Sequence, residues 1–284
     1  MVSRGSIPES GCVQKVGLVN YPSELIEGTL QRRYKRFLAD VQLPDGTLVV
    51  AHCPNSGAMT GCWEPGAPCR VTHRPDPKRK LKYTLEQVCM DGVWILVNTM
   101  LPNHVVAEGI QAGAIPELSG YELLLREKRY GQRNSRIDIL LLNGGTLPPD
   151  AVSKVVKGVE QVPATEAAYV EVKNVTLMRD GAGWFPDAVT TRGTRHLMEL
   201  MDVVKAGHRG VLVFHVGRED CAWAGPEERV DPVYARTLRE AVQAGVEVLA
   251  YRCEVSASGA VLGQRLPVRL EEEGVLDSRC QGTE

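Results

Sequence analysis

Among the eight cysteines there is no C-x-x-C pair, no apolar run approaches the length of a membrane span, and the first twenty residues lack the long apolar core of a secretory signal. Each absence removes a class. Cysteines at 12, 53, 62, 69, 89, 221, 253 and 280 are spread thinly over 284 residues. That argues against a disulfide scaffold and for reduced thiols in a cytoplasmic protein. Cys62, Cys69 and His73 match no common zinc spacing. Without a spanning run no membrane partner is expected, and without a signal the first twenty residues are expected to be a loose N-terminal extension. No internal repeat occurs. A net charge of -2 means that the chain as a whole is not a polycation.

The composition that is present, 43% hydrophobic and 24% charged, is that of an ordinary globular protein with room for two modest domains. Its charge is uneven. Between Leu30 and Lys82 ten Lys and Arg face four acids, whereas the end of the chain carries Glu271-Glu272-Glu273. A basic segment in a near-neutral chain suits an anionic partner, though a solvated face has the same composition.

The chain changes rhythm near Asn98. Before it, short strands alternate with turns: Thr29 to Val41 and Thr47 to His52 around Pro44-Asp45-Gly46, Cys69 to His73 after Pro65-Gly66-Ala67-Pro68, and a hairpin of Tyr83–Met90 with Trp94–Asn98 across Asp91-Gly92. Five or so such strands predict a small β-barrel over 21–98. After Asn98, Asn103 is placed to cap a helix that stops at Gly113. Strand-like runs follow at 121–130, 135–142 and 168–176. The stretch Asn143–Ala167, with its Gly and Pro pairs, reads as a surface excursion. Thr191–Ala206 is a helix with Leu197, Leu200, Met201 and Val204 at helical spacing. Gly210–Val216 is a buried strand. Asp231-Pro232 opens a helix that ends at Ala244 before Gly245, Val246–Val255 is expected to be the last strand, and 269–284 a tail.

Two carboxylates interrupt runs that otherwise read as buried strands: Asp138 in Ile137–Leu142, and Glu171, followed by Lys173, in Tyr169–Val175. An ionised carboxylate in apolar surroundings is costly unless a cation or hydrogen bonds compensate it. Side chains two apart on a strand share a face, so Glu171 and Lys173 stand side by side. If Asp138 faces the same way on a neighbouring strand, two carboxylates and an ammonium converge, a grouping suited to holding Mg²⁺ or Mn²⁺ for phosphodiester hydrolysis. A surface Glu–Lys pair on a strand edge is the alternative. Glu108, on the preceding helix, could add a third carboxylate or be an ordinary solvated glutamate. Arg192 and His196, one turn apart at the start of the next helix, could face phosphate, with Asp187 just before them; a core histidine is the alternative for His196. In the barrel, Arg32, Arg33, Lys35 and Arg36 interleave with Tyr34 and Phe37. Lys78, Arg79, Lys80 and Lys82 form a second basic run in a loop. Together they suit a surface that tracks a nucleic-acid backbone and stacks its bases.

Several of these stretches form longer motifs: Arg33-Tyr34-Lys35-Arg36-Phe37-Leu38-Ala39-Asp40-Val41, Ala51 through Cys62, Pro77–Leu81, Asn134–Asp138, Tyr169–Leu177, Phe185–Thr190 with Arg192-Gly193, and Gly245–Tyr251. They resemble the sugar fermentation stimulation protein A family over roughly Tyr21 to Pro267. The resemblance implies a mixed α+β chain, an N-terminal OB-type β-barrel followed by an α/β PD-(D/E)xK nuclease-like domain with a central mixed sheet. It maps that superfamily's pattern onto Glu108, Asp138, Glu171 and Lys173. It also implies DNA binding with little sequence preference, with RNA as an alternative, and a link to the regulation of sugar use, maltose above all. Two departures are the length of the 143–167 excursion and the extra first twenty residues. Whether the site hydrolyses or only binds, whether a protein or sugar ligand is the real partner, and whether the chain pairs with a second copy all stay open at this stage.

Overall fold

A computed structural model of the chain describes residues 17–130, 135–143 and 167–271. The bulk of the expected extension (residues 1–16), of the excursion (144–166) and of the tail (272–284), together with Asn134, lies outside them.

The first domain is built on β2 (Leu25–Tyr34), β3 (Leu38–Gln42), β4 (Leu48–His52), β5 (Pro68–His73), β6 (Tyr83–Met90) and β7 (Val93–Leu96); β1 (Val19–Asn20) precedes them in the chain. The sheet order β4-β3-β2-β5-β6-β7 closes into a barrel through a parallel pairing of β4 with β6 at Ala51–Tyr83 and His52–Thr84. Inward residues Leu30, Val41, Ala51, Val71, Leu85 and Ile95 are fully buried around Met59 and Cys62 of the β4–β5 connection. Thr29–Val41, expected as one strand, is two. The chain reverses at Lys35-Arg36-Phe37, with Lys35 and Arg36 at φ 49° and 64°. The strands hydrogen-bond across that reversal from Tyr34–Leu38 onward.

The second domain begins with α1 (Pro102–Gln111), which ends with Gly113 in the left-handed region (φ 74°) as expected. Asn103 does not cap it: Leu101 is the residue at the cap, with no side-chain hydrogen bond, and Pro102 opens the helix. Then come β8 (Leu123–Tyr130), β9 (Ser135–Leu142), β10 (Ala167–Val175), the short β11 (Leu177–Arg179) and β12 (Ala182–Phe185), α2 (Thr191–Lys205), β13 (Arg209–Val216), β14 (Trp223–Pro226), α3 (Pro232–Gln243), β15 (Glu247–Val255) and β16 (Gly259–Leu266). Both later helices start as anticipated. Thr190 accepts from the Gly193 N–H and Asp231 from the Tyr234 N–H, so each cap satisfies a donor the helix leaves open.

The central sheet is mixed, in the order β1-β16-β15-β13-β10-β9-β8. Strands β10, β13 and β15 are mutually parallel and the rest antiparallel. One face packs on α2 and α3 through Leu197, Leu200, Phe214, Tyr234 and Leu238. The other packs on α1 through Val105, Val106, Val170, Val213 and Leu249. Helix, three strands, helix, strand is the order expected from the sequence.

Three expectations need correction. Val246–Val255 is not the last strand, because β16 pairs with β15 and in turn receives β1, so Val19 and Asn20 belong to this sheet and not to a loose extension. The tail does not begin at 269, because the Arg269 N–H donates to the Ala224 carbonyl at 3.0 Å. A second small sheet of β11, β12 and β14 was not anticipated. Among the described residues no helix is long and apolar enough to cross a membrane.

Candidate metal and nucleic-acid site

Strand β10 is the middle of the site. It pairs antiparallel with β9 and parallel with β13, so it is interior to the sheet, and its side chains alternate between the two helical layers. Glu171 and Lys173 do share the α2 face: Lys173 Nζ donates to Glu171 Oε1 at 2.5 Å. Glu171 is 2% exposed and Lys173 is half-buried, so the pair is not a solvated strand edge. His196, 3% exposed on α2, bonds through Nδ1 to the same Glu171 oxygen and lies 3.3 Å from Lys173 Nζ. Arg192 Nε approaches His196 Nε2 at 3.3 Å. An arginine can only donate. The ring proton therefore sits on Nδ1, where it is given to Glu171. Burial works against the Glu171 charge, but the Lys173 ammonium and the hydrogen bonds from His196 and Lys173 outweigh it and hold the carboxyl below its ordinary range.

Asp138 sits on the neighbouring strand, yet it does not simply face the same way. Ile139 packs with the α1 layer and Ile137 with the α2–α3 layer, so the alternation breaks at Asp138. Opposite the break, between the pairs Arg126–Ile139 and Lys128–Ile137, Glu127 adopts φ 53°. The Asp138 carboxylate accepts from the Val172 N–H of β10 at 2.8 Å and from Asn103 Nδ2 of α1 at 2.7 Å. Glu171 is thus served from α2 and Asp138 from α1. Burial, and after it the Glu171 charge, push Asp138 up from 3.8 to about 7.

Glu108, expected from α1 as a third carboxylate, is exposed, and it is Asn103 of that helix that bonds Asp138. The reason is helical phase. Asn103 is the α1 residue that reaches Asp138, and five residues on at about 100° each is roughly 140° round the helix. Sequence reasoning missed Asn103 in this role and Glu127 beside it, whose Oε1 lies 3.5 Å from Asn103 Nδ2. It also missed Glu199, 3% exposed on α2 and beside the Tyr130 hydroxyl.

Asp138 and Glu171 are the carboxylates a cation could use. Glu171 Oε2 is buried and without a hydrogen-bond partner, and Asp138 carries a charge its surroundings disfavour. A hard divalent ion with oxygen ligands would relieve both, so the residues fit one. Among the described residues, no three His, Cys, Asp or Glu side chains converge closely enough to hold a metal by themselves. The remaining ligands would have to be waters or a bound anion, as is usual for Mg²⁺.

These groups lie behind one wall of a cleft of about 420 Å³ between the domains. Lys173 and Asn103 line it directly, as do Thr190 at the α2 cap and Arg36, Asn55 and Gly57 from the barrel. Asp187 also lines it, but as a strut. Its Oδ2 accepts from the Met59 N–H at 2.9 Å, and a Cβ on Gly57 would stand 2.5 Å from that oxygen. Leu96 N–H to the Gly217 carbonyl, at 2.8 Å, ties the domains again.

The barrel's basic residues divide. Arg32 pairs with Asp40 at 2.9 Å and covers the Tyr34 ring at 4.4 Å, so Arg32 and Tyr34 share a face as alternation predicts. Arg33 points the other way into structure, donating to the carbonyls of Arg36, Asn55 and Gly57 at 3.1, 2.8 and 2.8 Å. It is a brace, not a free cation. Lys35 and Arg36 are exposed in the turn, beyond the reach of strand alternation. Lys78, Lys80 and Lys82 are exposed, and Arg79 donates to Thr84 at 3.1 Å. Leu38 pairs with His52 and His52 with Thr84, so both basic runs come to the same end of the barrel.

Comparison with known proteins agrees with this architecture. The family description "SfsA N-terminal OB domain" matches residues 32–97, and "Sugar fermentation stimulation protein RE domain" matches 100–259. The sugar fermentation stimulation protein homolog of Geobacter sulfurreducens is 50% identical over 247 residues, covering 87% of this chain and 97% of that protein. The homolog of Maricaulis maris is 48% identical over 255 residues, covering 89% and 100%. The structure of Pyrococcus furiosus SfsA in complex with Ca²⁺ superposes with a TM-score of 0.74 at 26% identity, over 89% of this chain and 98% of that one. The chain belongs to the sugar fermentation stimulation protein family, with an N-terminal OB domain and a mixed α/β second domain.

Proposed function

We propose that the chain is a DNA-binding protein with little sequence preference, carrying a nuclease-like divalent-metal site at Asp138 and Glu171. The observation that carries the reading is the Glu171 carboxylate: nearly fully buried, with Oε2 unpartnered, beside a second destabilised carboxylate and behind the wall of an interdomain cleft that Lys173 lines. Structural glutamates are not normally left half-satisfied in a core, since an unmet buried acceptor costs about 1–3 kcal/mol. That the Pyrococcus furiosus relative was solved with Ca²⁺ supports a hard cation in this fold.

A bound Mg²⁺ or Mn²⁺ would supply Lewis-acid polarisation of a phosphoryl oxygen and a water of lowered pKa. The chain's own residues do the rest. Lys173, on the cleft wall, offers an ammonium to a phosphate; His196 and Arg192 hold Glu171 in place from α2. Arg36 and the Lys78–Lys82 run meet the backbone from the barrel. Phosphate contacts of this kind position a polymer without reading its bases. Lys173 and Arg36 in the cleft, with the exposed Lys35, Lys78, Lys80 and Lys82 of the barrel, fit a polyanion better than a neutral sugar, so a role in sugar use would be exercised through DNA. Free cysteines at 53, 62, 69, 89, 221 and 253 support a reducing, cytoplasmic setting.

Hydrolysis is the second reading, and Lys173 favours it, because an ammonium bonded to a candidate metal ligand can also orient an attacking water. One experiment tests both. Anisotropy titrations of DNA across a salt series, with thermal denaturation in Mg²⁺, Mn²⁺ or Ca²⁺, should show a steep negative salt slope and cation stabilisation that Glu171→Gln abolishes. Cleavage products under Mg²⁺ would add the hydrolytic role. A flat salt response would sink the DNA reading, and a cation response unchanged in Glu171→Gln would sink the metal site.

A further inference from the structure

Of the three phenylalanines in the chain, Phe185 and Phe214 are neighbours in the core of the second domain, with ring centroids 6.1 Å apart. The third, Phe37, is 49% exposed. It stands at the tip of the β2–β3 hairpin, directly after Lys35 and Arg36, both left-handed at φ 49° and 64°. Non-glycine residues hold that backbone only where the surroundings impose it. Here Arg33 imposes it, bonding the Arg36 carbonyl on one side and the Asn55 and Gly57 carbonyls on the other, while the Phe37 carbonyl accepts from the Cys53 N–H at 2.8 Å. The tip is therefore braced, and it leaves an aromatic ring half in solvent directly after two exposed cations. Arg36, its neighbour, lines the same cleft as Lys173.

We propose that Phe37 is a stacking platform for an unpaired base, so that the preferred substrate of this cleft is DNA with a single-stranded segment. The inference rests on the DNA-binding reading above and names its substrate class. An isolated exposed apolar side chain needs no explanation; this one is held by a dedicated brace, preceded by the exposed Lys35 and Arg36, and next to the cleft that Arg36 and Lys173 line. Cations beside an exposed ring suit a single strand, whose phosphates they can meet while a base, with its face free, stacks on the ring. Internal base pairs of a blunt duplex offer no such face, because both sides are already stacked.

The test is binding by anisotropy to three DNAs of equal length: a single strand, a blunt duplex, and a duplex with an unpaired overhang carrying 2-aminopurine. Phe37→Ala should weaken the single strand and the overhang about tenfold or more while leaving the blunt duplex within about twofold, as the loss of one base–aromatic stack requires. Phe37→Trp should restore affinity, and Phe37→Leu, with apolar bulk and no π face, should behave like Phe37→Ala. The wild type should quench the 2-aminopurine, and Phe37→Ala should not. Because the side chain is half in solvent, thermal denaturation should show all three variants folded. Equal affinities of wild type and Phe37→Ala for all three DNAs would overturn the platform and leave the DNA reading standing. Equal losses on all three would do the same, pointing to a general contact. No binding of any form by the wild type would overturn both.

Discussion

Replacing Asp138 by asparagine should make the metal-free protein more stable, not less, by an amount that grows from about pH 4 to about pH 7 and is complete above it. In the folded chain burial and the Glu171 charge raise the Asp138 carboxyl from 3.8 to about 7. Between those values the folded state binds a proton that the unfolded state has released, so stability falls as pH rises through this window. At about 1.36 kcal/mol for each pH unit, the ionised carboxylate costs the fold up to roughly 4 kcal/mol at pH 8. An amide carries no charge and keeps the essential contact, since its oxygen can still accept from the Val172 N–H. Its NH₂ would meet Asn103 Nδ2, which donates to Asp138 now; the Asn103 amide can rotate and accept instead. Allowing about 1 kcal/mol for imperfect repair, Asp138→Asn should gain roughly 2–4 kcal/mol at pH 8.

Urea denaturation of both proteins from pH 4 to 8.5, in chelator, measures this. The advantage of the variant should be largest at pH 8, shrink as the wild type takes up its proton, and vanish near pH 4. Adding Ca²⁺ or Mg²⁺ at pH 8 should close the gap from the other side by stabilising the wild type alone. An advantage that does not change with pH, or a variant less stable than wild type at pH 8, would refute the assignment of strain to this carboxylate.

Lys173→Met should cost about 3 kcal/mol of stability, because it removes a cation from a buried carboxylate, and should abolish any Mg²⁺-dependent cleavage; denaturation and a gel assay read the two effects. Gly57→Ala forces a Cβ to 2.5 Å from Asp187 Oδ2 and should break the Asp187–Met59 tie, with a loss of about 1–3 kcal/mol and faster proteolysis between the domains. His215, whose Nδ1 lies 2.9 Å from Asn174 Oδ1, is pushed down to about 4 by complete burial. It stays neutral in the fold, so stability should fall as pH drops below about 6.5, by up to roughly 3 kcal/mol; His215→Gln should flatten that acid limb in the same urea series.

Most secondary elements and the Glu171–Lys173 pair were legible because they rest on local rules. A two-residue period forces those two side chains onto one face, and Thr190 and Asp231 cap helices through their own next turn. What was not legible depends on contacts between distant residues. Nothing in Arg33-Tyr34-Lys35-Arg36-Phe37 announces a reversal, since no glycine, proline or asparagine is present; the turn exists because Arg33 finds carbonyls more than twenty residues away. The break at Asp138 is equally silent, because it is set by Glu127 across the ladder and by Val172 on the other side. For His196 the sequence left a phosphate contact and a core position both open, and neither names its partner; only the depth of Glu171 beneath it gives it that polar task. Glu108 was favoured over Asn103 because a carboxylate is the expected ligand, whereas helical phase selects the residue that arrives.

The same long-range contacts couple the two domains' roles. Arg33 fixes the 55–57 loop, the Met59 N–H on the far side of that loop is held by Asp187, and Asp187 lies just before the helix that carries His196 to Glu171. The path from the hairpin tip to the buried carboxylate is therefore continuous, alternating hydrogen bonds with short stretches of backbone. A polymer pressed against Phe37 and Arg36 loads the outer end of that chain, while a cation at Glu171 would load the inner end. If the links are as stiff as their geometry implies, anything that loosens the brace must loosen both ends. Arg33→Lys keeps the charge but supplies a single ammonium where Nη2 of a planar fork now reaches the Arg36, Asn55 and Gly57 carbonyls and Nη1 the Ala58 carbonyl. It should therefore weaken DNA binding and cation stabilisation together, although Arg33 itself touches neither carboxylate.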